Sequence, residues 1–310
     1  MRVWLALLGL ATALPGQAST GYWIMDNDVV VRTDGDYTNG LFLGHVSQPG
    51  ARLPAPLRPF ARHLPESNTY WHAELSQKMW TPSDLNPDEQ SQLERPYAGV
   101  LLATVGLGTE ETKHSDHYGI SVGVIGPASG AEAVQRQVHK WLGNTAPDGW
   151  ESQIENTPLM QLSWLRNERL WQSSTEGTGW DLLWHPRAQG GNVQSEAAVG
   201  ASLSFGNDLG QLRGRHWQQP PISPSGQVGW ALFIGTEVRY RLNDITLQGP
   251  RPDDAPDVTM THWQGSWAVG LRGHYKRVGA AFSVQGDSPA YESVSNRWTS
   301  YGRLLFTWQY

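Results

Sequence analysis

Apolar and polar residues alternate with a period of two along much of this chain, the spacing of side chains on a β-strand. From Val228, one face reads Val228, Trp230, Leu232, Ile234, Thr236, Val238 and Tyr240, and the other Gly229, Ala231, Phe233, Gly235, Glu237, Arg239 and Arg241. Ala197, Val199, Ala201, Leu203 and Phe205 oppose Glu196, Ala198, Gly200, Ser202 and Ser204 in the same way. The second face is mostly small, with scattered charges. A soluble sandwich turns large charged side chains to bulk water, whereas a barrel lumen crowds side chains from opposite walls. The chain ends in the same rhythm, with Leu304, Phe306, Trp308 and Tyr310 on one face. A terminal aromatic on the apolar face of the last strand is typical of bacterial outer-membrane barrels.

Twelve strands are expected, at 21–31, 37–46, 69–79, 98–109, 116–124, 158–170, 180–188, 195–205, 229–241, 259–275, 277–286 and 298–310. Most approach the roughly 9–11 residues that cross a membrane when tilted. The fold class is therefore all-β, a twelve-stranded antiparallel transmembrane barrel with one short α-helix in an extracellular loop. An even count puts both termini at the periplasmic end, so connections 1–2, 3–4, 5–6, 7–8, 9–10 and 11–12 face outward. One tension remains: Gln48–Ser67 and Asn207–Gln227 become long periplasmic links, where short turns are usual. The helix falls in connection 5–6. Ser129 and Glu132 have capping-box spacing, Ala131–Leu142 follows, and Gly143 suits a stop. Val134, Val138, Trp141 and Leu142 form its apolar stripe, while Gln135 and His139 share a neighbouring face.

Composition fits a membrane barrel: 16 Trp and 34 Gly with low mean hydropathy. There is no cysteine, so no disulfide holds the fold. A net charge of −6 gives no case for nucleic acid as a partner. Residues 1–18 read as a secretory signal peptide, with Arg2 before an apolar run and small residues ending at Ala18. Residues 19–310 would then form one outer-membrane barrel domain, inserted by the barrel-assembly machinery.

Three polar clusters fall in outward connections. Asp26-Asn27-Asp28, with Thr38 ten residues on, gathers hard oxygen ligands of the kind calcium takes. In a regular strand Asn27 and Asp28 point to opposite faces, so a shared site needs the strand to bulge or end there. A bound calcium could face the negative charge that develops on an ester carbonyl. His139 borders the helix stripe, and an imidazole can accept a proton from water near neutral pH. Arg95, in Glu94-Arg95-Pro96-Tyr97-Ala98-Gly99, is a candidate for a phosphate or carboxylate contact. No Gly-x-Ser-x-Gly elbow, zinc spacing or suitable Ser–His pair is visible, and the other histidines receive no role.

These residues resemble the LpxR-like lipid A 3′-O-deacylases of Gram-negative outer membranes over nearly the whole mature chain. Four ordered blocks carry the resemblance. They are Asn27-Asp28 with Gly35-Asp36-Tyr37-Thr38-Asn39-Gly40-Leu41, then Arg95-Pro96-Tyr97-Ala98-Gly99. Gly123-Val124-Ile125-Gly126-Pro127 follows, leading to Val134-Gln135 and His139, and Gly149-Trp150-Glu151-Ser152-Gln153-Ile154-Glu155-Asn156 completes the set. The resemblance implies calcium-dependent removal of the 3′-linked acyl chains of lipid A, with lipopolysaccharide as substrate. The active site would lie between the outer barrel wall and the loop helix. It implies Asp28 and Thr38 as metal ligands, Asn27 as their polar neighbour, His139 as water activator, Gln135 as its aid and Arg95 as a substrate contact. The rival readings are an outer-membrane phospholipase and a non-catalytic barrel or pore.

Overall fold

All twelve alternating segments form strands in the computed structural model, which describes residues 19–28, 36–82, 94–142, 149–173, 177–219, 228–252, 257–292 and 298–310. The strands are β1 (Ser19–Asn27), β2 (Asp36–Ser47), β3 (Thr69–Thr81), β4 (Ala98–Glu110), β5 (His114–Ile125) and β6 (Thr157–Gln172). Then come β7 (Gly179–Gly191), β8 (Gln194–Gly206), β9 (Val228–Asp244), β10 (Trp263–Tyr275), β11 (Val278–Asp287) and β12 (Thr299–Gln309). Each pairs antiparallel with its sequence neighbours, and β1 closes on β12 to complete the barrel. At that seam Trp23 sits opposite Phe306, with ring centroids 5.9 Å apart. The expected signal peptide lies outside the described residues. Among the described residues no helix is long and apolar enough to cross a membrane.

The alternation divides as expected. Val228, Leu232, Ile234, Val238 and Leu242 are exposed on the outer wall, while Ala231, Glu237, Arg239 and Arg241 are buried in the lumen. Many lumen charges are paired, both across strands and within β9. Arg187 meets Glu196 and Glu237, Arg241 meets Glu196 and Asp244, and Arg239 reaches Glu237 and Asp287. Asp26 of β1 accepts two bonds from Arg303 of β12, each 2.7 Å. Pairing answers the high cost of an unmatched buried charge. A polar cavity of about 450 Å³ remains among these groups.

The two long links at the terminal end take opposite courses. Residues 48–68 fold outward over the wall: Leu57 packs on Trp71 and Leu107, joined by Leu53, Ala61 and Leu64. Residues 207–219 fold inward. Arg213 pairs with Glu110, Arg215 with Asp181, and Asn167 donates to the Leu212 carbonyl (3.0 Å). The Trp217 ring fills the space where a side chain at Gly235 would stand. This link is a plug, which resolves the anomalous length of Asn207–Gln227 as far as residue 219.

Most strand ends fall within three residues of expectation, and two differ by four. β1 stops at Asn27, and residues 29–31 lie outside the described residues. β10 begins at Trp263 instead of residue 259, because Met260 leaves the sheet to bridge Tyr291. The helix α1 spans Ala131–Leu142 as expected. Its start does not form the expected capping box. Ser129 lies in a preceding 3-10 turn and Gly130 adopts φ 70°, a left-handed value suited to glycine. The Ser129 hydroxyl accepts from the Ala131 N–H (3.3 Å), and Glu132 instead pairs with Arg136 (2.8 Å). A second, single-turn helix, α2 (Ile245–Gln248), follows β9.

Candidate active site

The outer wall of β1–β4 carries the candidate site at the end opposite the termini. Asn27 alternates with Asp26, whose carboxylate is held in the lumen by Arg303, so Asn27 faces out. Asn27 pairs with Asn39, Asn39 with Met79, and Met79 with Gly99. These four residues form one cross-strand row on the outer face. β2 bulges between Tyr37 and Asn39, which sets Thr38 beside this row. The Thr38 hydroxyl lies 2.7 Å from that of Thr81. β1 ends before Asp28, whose N–H donates to the Thr38 carbonyl (3.3 Å), and Asp28 is buried. The strand end that a shared Asn27–Asp28 site requires is therefore present.

Helix α1 seats at the other end of the row. Gly99 has no side chain, and a Cβ there would strike Ala131 and Ser129. Ala131 and Val134 pack with Met79, Tyr97 and Trp150. Gln77 of β3 donates to the Ser129 carbonyl (2.7 Å), and Gly126 N–H donates to the Gly99 carbonyl (2.9 Å). The segment after α1 locks it in place. The Trp150 ring meets Tyr97 in a tilted contact (centroids 5.1 Å, 52° between planes) and donates its indole N–H to Gln135 Oε1 (2.6 Å). Asn156 accepts from the Ala128 N–H (2.8 Å).

Gln135 is 4% exposed, and among the described residues its buried Nε2 has no hydrogen-bond partner. His139, one turn later on the same face, is half-buried. Trp141 does not join the buried stripe and is 76% exposed. On a lipid-facing wall an exposed indole meets apolar or interfacial surroundings, so burial against protein is not required.

Arg95 lies elsewhere. It is buried at the lumen rim, donates to the Thr246 hydroxyl (2.8 Å), sits 3.7 Å from Asp36 and stacks on Trp80. Burial pulls its guanidinium below the ordinary value, and Asp36 partly offsets this.

The donors around Asp28 are a carboxylate, the Thr38 and Thr81 hydroxyls, the Asn27 and Asn39 amides and backbone carbonyls. An all-oxygen set suits calcium and fits zinc poorly. Among the described residues no group of three or more His, Cys, Asp or Glu comes together. A calcium here would combine one side-chain carboxylate with neutral oxygens.

Sequence reading missed several contributors. Gly99, Tyr97 and Trp150 stood in the quoted blocks without a role. Gln77 carried a legible signal, a lone polar residue among the outward Trp71, Ala73, Leu75 and Met79. The fold also assembles a Ser–His pair that the sequence did not reveal. His185 lies 2.7 Å from the Ser202 hydroxyl and 2.8 Å from Asn167 Oδ1. The Asn167 oxygen only accepts, so Nδ1 carries the proton and Nε2 accepts from Ser202. All three residues are buried beneath the plug, and Asn167 is tied to Leu212 and Gln219. This array joins wall to plug.

Among solved structures, the chain is similar to LpxR from Salmonella typhimurium, at 20% identity and TM-score 0.77, covering 94% of this chain and 99% of that one. It also matches the β domain of the Bordetella autotransporter BrkA at 9% identity and TM-score 0.44, covering 94% of this chain and 98% of that one. The COG4313 outer-membrane channel from Pseudomonas putida F1 matches at 11% identity and TM-score 0.45, covering 96% and 97%. Comparison with curated proteins finds no matching sequence. The family profile described as outer membrane protein LpxR matches residues 3–310. With a closed twelve-stranded barrel and a family match over nearly its whole length, the chain belongs to the LpxR family of outer-membrane proteins.

Proposed function

We propose that this protein is a lipid A 3′-O-deacylase, a calcium-dependent ester hydrolase acting on lipopolysaccharide at the outward-facing end of the barrel wall. One observation carries the reading: a single cross-strand row links Asn27, beside Asp28 and Thr38, to the seat of α1 at Gly99. The row opens toward lipid, where an acyl chain in the membrane can approach without entering the lumen. Distances support it. Gly99 is three strand spacings from Asn27, about 14 Å. His139 lies eight residues beyond Ala131, about 12 Å along a helix. Because α1 starts over β4 and also packs on β3, its later turns can lie toward β2 and β1.

In this reading Asp28 and Thr38 would hold the calcium, and Asn27 would be their polar neighbour. Bound calcium supplies positive charge close to the ester carbonyl oxygen. His139 takes a proton from a water, which attacks the carbonyl carbon. Gln135, fixed by the Trp150 indole, turns its spare amide donor toward that water. On collapse of the tetrahedral intermediate the ester C–O bond breaks, His139 returns its proton to the leaving 3′ oxygen, and a free fatty acid and the 3′ hydroxyl remain. Arg95 could reach a lipid A phosphate only by leaving Thr246 and Asp36, so its nearer role is to fix the rim.

The test is mass spectrometry of lipid A from cells with and without the protein. The expected product lacks the 3′-linked acyl chains, and strong calcium chelation abolishes its formation in detergent. Phospholipid products with intact lipid A would favour the phospholipase rival. No product from either lipid would favour the non-catalytic barrel.

A further inference from the structure

Residues 48–68, outside the proposed catalytic site, form a second lipid-facing surface. Trp71 alternates with His72, which lines the lumen cavity, so Trp71 and its cross-strand partner Leu107 face outward. The segment lies over both through Leu57. Its ends are tied to the strand, with Gly50 N–H donating to the Thr69 carbonyl (2.9 Å) and the Thr69 hydroxyl to the Pro65 carbonyl (2.7 Å). Pro49, Pro54, Pro56, Pro59 and Pro65 stiffen the path. A short periplasmic turn would suffice to join β2 to β3. This longer path instead covers the lipid-facing wall at the level of His45 and Tyr310, whose hydroxyl lies 2.7 Å from the His45 ring. Aromatic groups at this level mark a membrane–water interface.

The outer surface of the segment is basic and apolar. Arg52, Arg58, Arg62 and His63 are exposed, and Glu66 is its one acid. The chain as a whole carries −6, so this local excess of positive charge runs against the overall balance. Phe60, between Arg58 and Arg62, is 75% exposed. Among the described residues none of the three arginines enters an ion pair. A rigid interfacial segment with a projecting ring and flanking arginines matches the chemistry of an anionic lipid surface.

We propose that residues 48–68 bind anionic phospholipid headgroups of the periplasmic leaflet, with Phe60 in the acyl region and Arg52, Arg58 and Arg62 on the phosphates. The inference rests on the membrane placement of the barrel and not on its catalytic reading. Loss of deacylation would leave it standing.

The experiment is native mass spectrometry of the full barrel in a neutral detergent, titrated with phosphatidylglycerol or phosphatidylcholine. The wild type is expected to retain phosphatidylglycerol preferentially. The triple variant R52Q/R58Q/R62Q is expected to lose that preference by about tenfold or more, given the surface attraction of each basic side chain. The triple Arg→Lys variant should keep it. Heat-modifiable migration reports whether each variant is folded. If the Gln variant does not fold, salt titration of the wild type decides, because a headgroup contact of exposed arginines weakens as salt rises. Equal retention of both lipids by the wild type would overturn the proposal. So would a preference unchanged in the folded Gln variant, one indifferent to salt, or full displacement by free glycerol phosphate.

Discussion

Two polar regions share this barrel wall, one inside and one outside, and they are built on opposite terms. In the lumen, Arg187, Glu196, Glu237, Arg239 and Arg241 pair with one another, residues 207–219 fold in from the terminal end, and His185 is occupied by Ser202 and Asn167. On the outer wall, Asn27, Thr38 and Asn39 are half-buried, Thr81 and Gln77 are buried, and among the described residues Gln135 keeps a buried amide donor without a partner. A cavity of about 450 Å³ and the most familiar catalytic array are in the lumen. The candidate chemistry is outside it. The paired charges of the lumen act as a structural element, whereas polar groups on an outer barrel wall cost stability and persist where a polar reaction needs them.

Substitutions can break this contrast. Asp28→Ala carries the largest expected effect: deacylation falls to background while heat-modifiable migration stays normal. Substantial residual activity in calcium-containing detergent would remove Asp28 from the metal site. Next comes His139→Asn, which keeps a similar shape without a useful base. The expected loss is about 10²–10⁴-fold on purified lipid A. A rate near wild type would end the role assigned to this imidazole.

Gly99→Val tests whether the seat of α1 matters. The new side chain meets Ala131 and Ser129, so α1 must lift from β4. Overpacking of this kind typically costs about 1–3 kcal/mol, and if that cost falls on the seated position of α1 the activity drops by about 5- to 150-fold with the barrel intact. Unchanged activity would mean that α1 is dispensable.

Ser202→Ala sharpens the comparison from inside. Deacylation should stay within about twofold, and stability should fall by about 1 kcal/mol through the lost hydrogen bond. Thermal unfolding followed by gel migration reads the second quantity. A collapse of activity with the fold intact would transfer the chemistry to the lumen. Trp217→Ala should have the smallest effect on catalysis and a visible one on permeation. Bilayer conductance should rise as the plug loosens, and no rise would show that other plug contacts suffice.

Much of the architecture was legible because a membrane barrel imposes one simple rule on every strand. Lipid outside and crowding inside force a period of two, so Val228–Tyr240 and the aromatic C-terminus disclosed strand, face and closure together. The α1 span was legible from its stripe and Gly143, although the Ser129–Glu132 capping box that marked its start does not form. The fate of the long links was not. Residues 48–68 carry five prolines and 207–219 carry none, but neither composition by itself says which segment coats the wall and which fills the lumen. That choice depends on what each meets: Trp71 and Leu107 outside, Glu110, Asp181 and the space at Gly235 inside. The site divides the same way. The residue types at Asn27, Asp28, Thr38, Gln135 and His139 were written in the sequence. The row from Asn27 through Asn39 and Met79 to Gly99 exists only because four strands pair in one register. Register is a long-range agreement between strands, and no single segment contains it.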